Sequence, residues 1–348
     1  MRLIKVGCQG YKRFEGRVEM DVDEKLIAIV GPNEAGKTSF LEALARLERD
    51  DPLPDNVRTR GSTASATVWA RYVLGDDDTE ALSGVTEARG VRQFIVTLSS
   101  DVRFKLEDDV ERDRAPRNAA LRIVDRALAH KTFTERDEDD ELIVLARAAR
   151  AALASEEEDL GDDEGRSLSG FASGLDGLTL PKALARLPEV VGRAYANEAK
   201  ENPWETTVEI LKNRRPRFLP FELPARDLRS SYSFDEEPNT ALHNLLALAG
   251  TSWSGLYEAS TDAGALEGVH ERARERLDAT FQAWKQGRLI VRLLVKDNAV
   301  AVLVRMAARE DYLGIEERSD GLRQFVALRA HVAAHSGAGG PLELTRFG

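Results

Sequence analysis

One cysteine, Cys8, stands in 348 residues. A lone thiol excludes an internal disulfide and a thiolate metal cluster, and it fits a reducing compartment. Its apolar setting reads as a buried strand residue. Also missing is any apolar run long enough to cross a bilayer, so the chain reads as soluble with no membrane partner. No apolar leader core with a small-residue cleavage site follows Met1, and the expected location is cytoplasmic. Positive charge is in deficit: 49 Lys and Arg against 60 Asp and Glu give a net charge of −11. Nucleic-acid binding therefore cannot be argued from the overall balance. The densest basic cluster, Lys212-Asn213-Arg214-Arg215-Pro216-Arg217, reads as solvated loop before it reads as a DNA contact. No internal repeat is visible.

What remains is ordinary globular material, 42% hydrophobic and 31% charged, with length for about two structural units. Residues 3–6 and 16–22 read as strands around a Gly10-Tyr11-Lys12 break, and residues 25–30 as a buried apolar strand. Helical spacing follows over 38–48, with Phe40, Leu41, Leu44 and Leu47 on one side. Period-two alternation over 63–74 marks a half-buried strand, and 91–98 with 102–106 a hairpin. From residue 117 the pattern turns helical. The acidic stretches 135–141 and 156–164 read as exposed loops or hinges, and 161–177 as a Gly/Ser/Asp connector. The chain is strand-like again over 217–223, then helical over 241–249 and from Leu266 to Trp284. A hairpin of 289–295 and 299–306 turns at Lys296-Asp297-Asn298, and a helix covers 322–334. The expected division is 1–115, a β-rich lobe; 116–215, a mostly helical insertion; and 216–348, a return to the first lobe's domain.

The segment Gly31-Pro32-Asn33-Glu34-Ala35-Gly36-Lys37-Thr38 matches G-x-x-x-x-G-K-[ST] between an apolar run and a helix. Glycines let successive N–H groups converge on phosphate oxygens, and the helix N-terminus adds its positive dipole. Lys37 is placed to meet the β and γ phosphates of ATP, and the Thr38 hydroxyl to ligate Mg²⁺. The expected nucleotide-binding set is Gly31, Asn33, Glu34, Ala35, Gly36, Lys37, Thr38 and Ser39, with Thr38 on the metal. Tyr11, Lys12 and Arg13 could approach the adenine, although a turn tyrosine is ordinarily a packing residue.

A second constellation, Glu317-Arg318-Ser319-Asp320-Gly321-Leu322-Arg323-Gln324, opens a helix. By itself Ser319 is an ordinary N-cap. Together with Gly10-Tyr11-Lys12-Arg13-Phe14 and the phosphate loop, it resembles the ABC-type ATPases of chromosome maintenance and phage defence: SMC-like and RecF-like proteins and the OLD (overcoming lysogenisation defect) family. The resemblance covers roughly the first fifty and last sixty residues. It implies an α/β P-loop ATPase head interrupted by a helical insertion. It also implies that Ser319 and Gly321 of one subunit contact the γ phosphate held by another, in a homodimer or hetero-complex. A nuclease or other effector partner, and nucleic acid, enter by that analogy alone.

The family pattern continues with an apolar strand ending in Asp-Glu, which holds Mg²⁺ and positions water, and a histidine switch. Neither follows the Ser319 helix here. Ile123-Val124-Asp125 and Leu294-Val295-Lys296-Asp297 lack the glutamate and precede the signature. Three functions therefore compete. The first is an ATPase head that hydrolyses ATP between two subunits. The second is a non-hydrolysing nucleotide module or fragment that relies on a partner chain for the acidic residues. The third, a small-molecule kinase, leaves the Ser-Asp-Gly helix start unexplained.

Overall fold

The computed structural model describes residues 1–22, 27–281 and 289–335. The chain is mixed α/β and divides into two bodies: Met1–Ala35 with Asp50–Arg215, and Gly36–Arg49 with the chain from Pro216 onward.

The first body begins with an antiparallel sheet. Strands β1 (Arg2–Gln9), β2 (Val18–Asp21), β3 (Thr67–Val73), β4 (Gln93–Leu98) and β5 (Val102–Leu106) lie in the order β2-β1-β3-β4-β5. Period two sets the faces. Val6, Cys8, Val68, Ala70, Tyr72, Phe94, Val96 and Leu98 point to the core, while Lys5, Trp69, Arg71, Ile95 and Thr97 point outward. Tyr11 is buried in the turn after β1, as a packing residue. Past β3, Gly75 leads into the short helix α2 (Asp76–Ala81), since Thr79 N–H donates to the Gly75 carbonyl. Asp78 in this helix is buried and paired with the amino terminus of Met1 and with Arg214 at 2.8 Å.

Helices α3 (Ala115–Leu128), α5 (Glu141–Leu153), α6 (Asp162–Gly174) and α7 (Leu187–Glu198) pack in a cycle, α3 on α5, α5 on α6, α6 on α7 and α7 on α3. The one-turn α4 (Lys131–Thr134) joins α3 to α5, and α8 (Pro203–Lys212) follows α7. Val124, Phe133, Ile143, Leu153, Leu168, Phe171, Leu187 and Val191 fill this core. Two expectations change here. Residues 161–177 are largely helix α6, because Leu168 and Phe171 fall three apart and reach the core despite the glycines and serines around them. The acidic stretch 156–164 is exposed loop over 156–158, as expected, but its backbone is tied down and residues 162–164 open α6. Arg117, 1% exposed, pairs with Glu198 and donates to the carbonyls of Glu157 at 2.7 Å and Glu158 at 2.9 Å, while Arg112 holds Asp159 at 2.9 Å.

The second body holds α1 (Lys37–Arg46) and, from Pro216, α9 (Leu223–Arg226), β6 (Ser231–Ser233), α10 (Thr240–Ala249), α11 (Trp253–Ala259), α12 (Ala263–Phe281), β7 (Leu289–Lys296), β8 (Ala299–Met306), β9 (Leu313–Gly314) and α13 (Asp320–His335). Its sheet runs β6-β8-β7, with β9 also pairing β8. The β7–β8 turn forms where expected, with Asp297 and Asn298 at φ 51° and 58°, the left-handed pair a two-residue hairpin requires. Leu245, Leu277, Phe281, Val291, Val302, Val304 and Val326 share one core. Residues 217–222 are not a strand: Phe218 N–H and Arg217 are both held by Glu48 in place of a ladder. Trp284 of the expected stripe and the chain after His335 lie outside the described residues.

Candidate functional site: the phosphate loop and the Ser319 helix

Residues 27–30 depart from expectation. They belong to neither sheet. Ala28 is exposed and Val30 is 86% exposed, while Ile27 and Ile29 are half-buried. A strand exists through its ladder, and among the described residues no strand is in register with this segment.

Beyond it, Gly31, Pro32, Asn33, Glu34 and Ala35 are all exposed. The loop folds back on itself with Ala35 N–H donating to the Pro32 carbonyl at 3.3 Å. Glu34 sits at φ 65°, a left-handed conformation that costs a non-glycine residue energy. Its carboxylate meets the Arg13 guanidinium at 3.1 Å. Arg13 thus contacts the loop in this structure, through a carboxylate.

Gly36 at φ 93° is the N-cap of α1 and has no side chain with which to cap it. The first helical bond runs from Phe40 N–H to the Gly36 carbonyl at 2.9 Å. The leading amides of α1 therefore precede the hydrogen-bond ladder, at the positive end of the helix. Lys37 is half-buried, Thr38 exposed and Ser39 half-buried. The helix buries Phe40 and Ala43, with Leu47 just past its end also buried, while Leu41, expected on the inner side, is 55% exposed. At the far end, Glu48 receives Arg217 at 2.7 Å and Phe218 N–H at 3.1 Å. The residue types fit a phosphate chain with a divalent cation: a left-handed glycine, leading amides, an ammonium and an exposed hydroxyl.

Ser319 and Gly321 lie at the start of α13 in the second body. The Ser319 carbonyl accepts the N–H groups of Leu322 at 3.0 Å and Arg323 at 3.1 Å, and its Oγ accepts Leu322 N–H at 3.4 Å. Ser319, Asp320 and Gly321 are exposed, and a Cβ built on Gly321 meets nothing within 4 Å. Among the described residues, no three His, Cys, Asp or Glu side chains gather as a metal-binding group. Among the same residues, no helix is long and apolar enough to cross a membrane.

Residues 1–113 match the family model described as an AAA ATPase domain. No curated protein matches the chain. The matched span contains the phosphate loop and the whole five-stranded sheet, and it supports a P-loop ATPase of the SMC-like and RecF-like kind.

Sequence reasoning missed the role of the basic cluster. Arg214 binds Asp78, Arg215 binds Asp50 at 2.7 Å, Arg217 binds Glu48, and Lys212 Nζ lies 5.1 Å from the Phe104 ring centre. These cations hold the protein's own elements. Their acidic partners lie more than a hundred residues away, so no local signal reveals them.

Proposed function

We propose that this chain binds ATP·Mg²⁺ at residues 31–38. The observation that carries the reading is left-handed Gly36 turning directly into α1, with Lys37 and Thr38 at its first two positions. The leading amides of α1 and the Lys37 ammonium neutralise the phosphates, and Thr38 offers its hydroxyl to Mg²⁺. Gly31, Asn33, Glu34, Ala35 and Ser39 complete the loop around them. Bound nucleotide supplies a phosphoanhydride bond and a large local charge. Ser319 and Gly321, exposed at the opening of α13, suit the γ phosphate carried by a second copy, so that ATP joins two chains. Roles in DNA maintenance or phage defence, with an effector partner, follow from the family resemblance.

A second reading draws on residues 27–30. An apolar segment ending in a Val30 that is 86% exposed suits pairing with a strand of another chain. In that case the partner brings the acidic residues for hydrolysis, and this chain alone binds without turnover.

Calorimetry with Mg²⁺ and a non-hydrolysable ATP analogue tests the first step. Wild-type protein is expected to give heat and Lys37→Ala none; no heat from folded wild-type protein overturns the reading. Ser319→Arg is expected to keep binding and lose ATP-dependent dimers in light scattering. Phosphate release by the purified chain, abolished in Lys37→Ala, eliminates the second reading.

A further inference from the structure

The outward face of the first sheet carries a chemistry that the phosphate loop does not use. Register places Gly7, Trp69, Thr97 and Arg103 side by side across β1, β3, β4 and β5, and Lys5, Arg71, Ile95 and Lys105 in the next row. Between them opens a shallow pocket of about 270 Å³, lined among others by Lys5, Arg17, Trp69, Arg71 and Thr97. Gly7 makes room for the indole: a Cβ there would collide with Trp69 Cζ2 and lie 2.7 Å from the Val18 carbonyl. The Arg17 guanidinium rests 4.6 Å from the indole ring centre and is also held by Glu19 at 2.9 Å.

The local charge opposes that of the whole chain. Lys5, Arg17 and Arg71 surround the single carboxylate of Glu19 in the pocket wall, and Arg103 and Lys105 extend the basic surface across β5. The Glu19 carboxyl is held below the usual carboxylate range by its bond to Arg17, with Lys5 and Arg71 adding to the effect. Asp21 and Asp101 answer Lys5 and Arg103, at 3.2 Å and 2.7 Å. An aromatic ring flanked by cations on an open sheet face matches a ligand unit with a flat ring and an anionic tail.

We propose that this face binds a nucleotide unit, its base stacked on Trp69 and its phosphate held by Lys5 and Arg71. Arg17 covers the indole in the absence of ligand and gives way on binding. Its stacking at an exposed site is worth roughly two- to fivefold. Base stacking on an aromatic side chain is worth roughly five- to 150-fold. The base therefore displaces the guanidinium, and Arg17 remains tethered to Glu19 beside the phosphate. The unit is either a free nucleotide or one residue of a single strand, whose next phosphates would run toward Arg103 and Lys105.

The test uses the full chain carrying Lys37→Ala in magnesium-free buffer, which silences the phosphate loop, so its outcome is independent of ATP binding there. Tryptophan fluorescence and anisotropy are followed while thymidine monophosphate or a labelled twenty-residue oligo-dT is added. Quenching of the Trp69 emission is expected in this parent. Binding, read by anisotropy of the labelled oligonucleotide or by calorimetry with thymidine monophosphate, is expected to be at least about fivefold weaker in Trp69→Leu and largely retained in Trp69→Phe. Arg71→Glu is expected to weaken binding and flatten its salt dependence, and it serves alone if Trp69→Leu fails to fold. Equal response to both ligands identifies a free-nucleotide site, and response to the oligonucleotide alone identifies a strand. The proposal is overturned if neither ligand changes either signal, or if Trp69→Leu and Arg71→Glu, folded by circular dichroism, bind like their parent.

Discussion

Burial on the core face of β1 pushes the Cys8 thiol up to about 11, so at neutral pH it stays protonated and unreactive. Iodoacetamide at pH 8 is expected to leave the native protein unlabelled and to label it fully in urea, read by intact mass. Asp78 shows the opposite balance. Burial raises its pKa, but the Met1 amino group, the Gly75 N–H and Arg214 together outweigh burial and hold the carboxyl below the ordinary value. Asp159 behaves likewise, with Asn202 and Arg112 outweighing burial. A carboxyl whose folded pKa is depressed binds fewer protons folded than unfolded, so its contribution is present above the unfolded value of about 3.9 and lost as pH falls through the folded one. Urea midpoints are expected to decline below about pH 5, and Asp78→Asn to flatten that decline.

Arg117 anchors the strongest case among the helices. Its guanidinium joins α3 to Glu198 at the end of α7 and to three carbonyls of residues 155–158. Removing one partner of such a buried pair leaves the other charge uncompensated, at about 3–5 kcal/mol. Arg117→Ala is expected to destabilise the fold by that amount, read from urea unfolding, and a control at exposed Arg166 to change it little. The same residues show what a linear reading can recover. Hairpins β4–β5 and β7–β8 and helices α1, α10, α12 and α13 are legible because each writes its period, or its turn residues, into neighbouring positions. The anchoring of residues 155–159 is not, since nothing near them announces an arginine forty positions earlier. Helix α6 escapes a linear reading because glycine and serine mask two core contacts. The 27–30 run fails as a strand for a related reason: apolar composition supplies a buried face, whereas a ladder depends on residues elsewhere.

For the protein as an entity, the glycine turn into α1 is legible, because the motif's spacing sets Gly36 directly before a helix. The basic cluster at 212–217 misleads in the other direction, since charge density on paper does not reveal that Asp50, Asp78 and Glu48 already occupy it. The outer face of the sheet is hidden because it is assembled from β1, β3, β4 and β5, whose residues meet only through register. Nucleotide at residues 31–38 and a nucleotide unit on Trp69 are separable by Lys37→Ala and Trp69→Leu, each expected to abolish or weaken one binding event and spare the other.

The peptide passes between the two bodies three times, after Ala35, after Arg49 and after Arg215. Neither body is thus an uninterrupted stretch of gene. A polypeptide starting at Pro216 would leave behind Phe40, Ala43 and Leu47 together with Glu48, the acceptor that fixes Arg217 and Phe218. Isolating that half in folded form calls for splicing residues 36–49 back on through a linker, and a protease nick between 49 and 50 would leave both halves tethered by the remaining crossings.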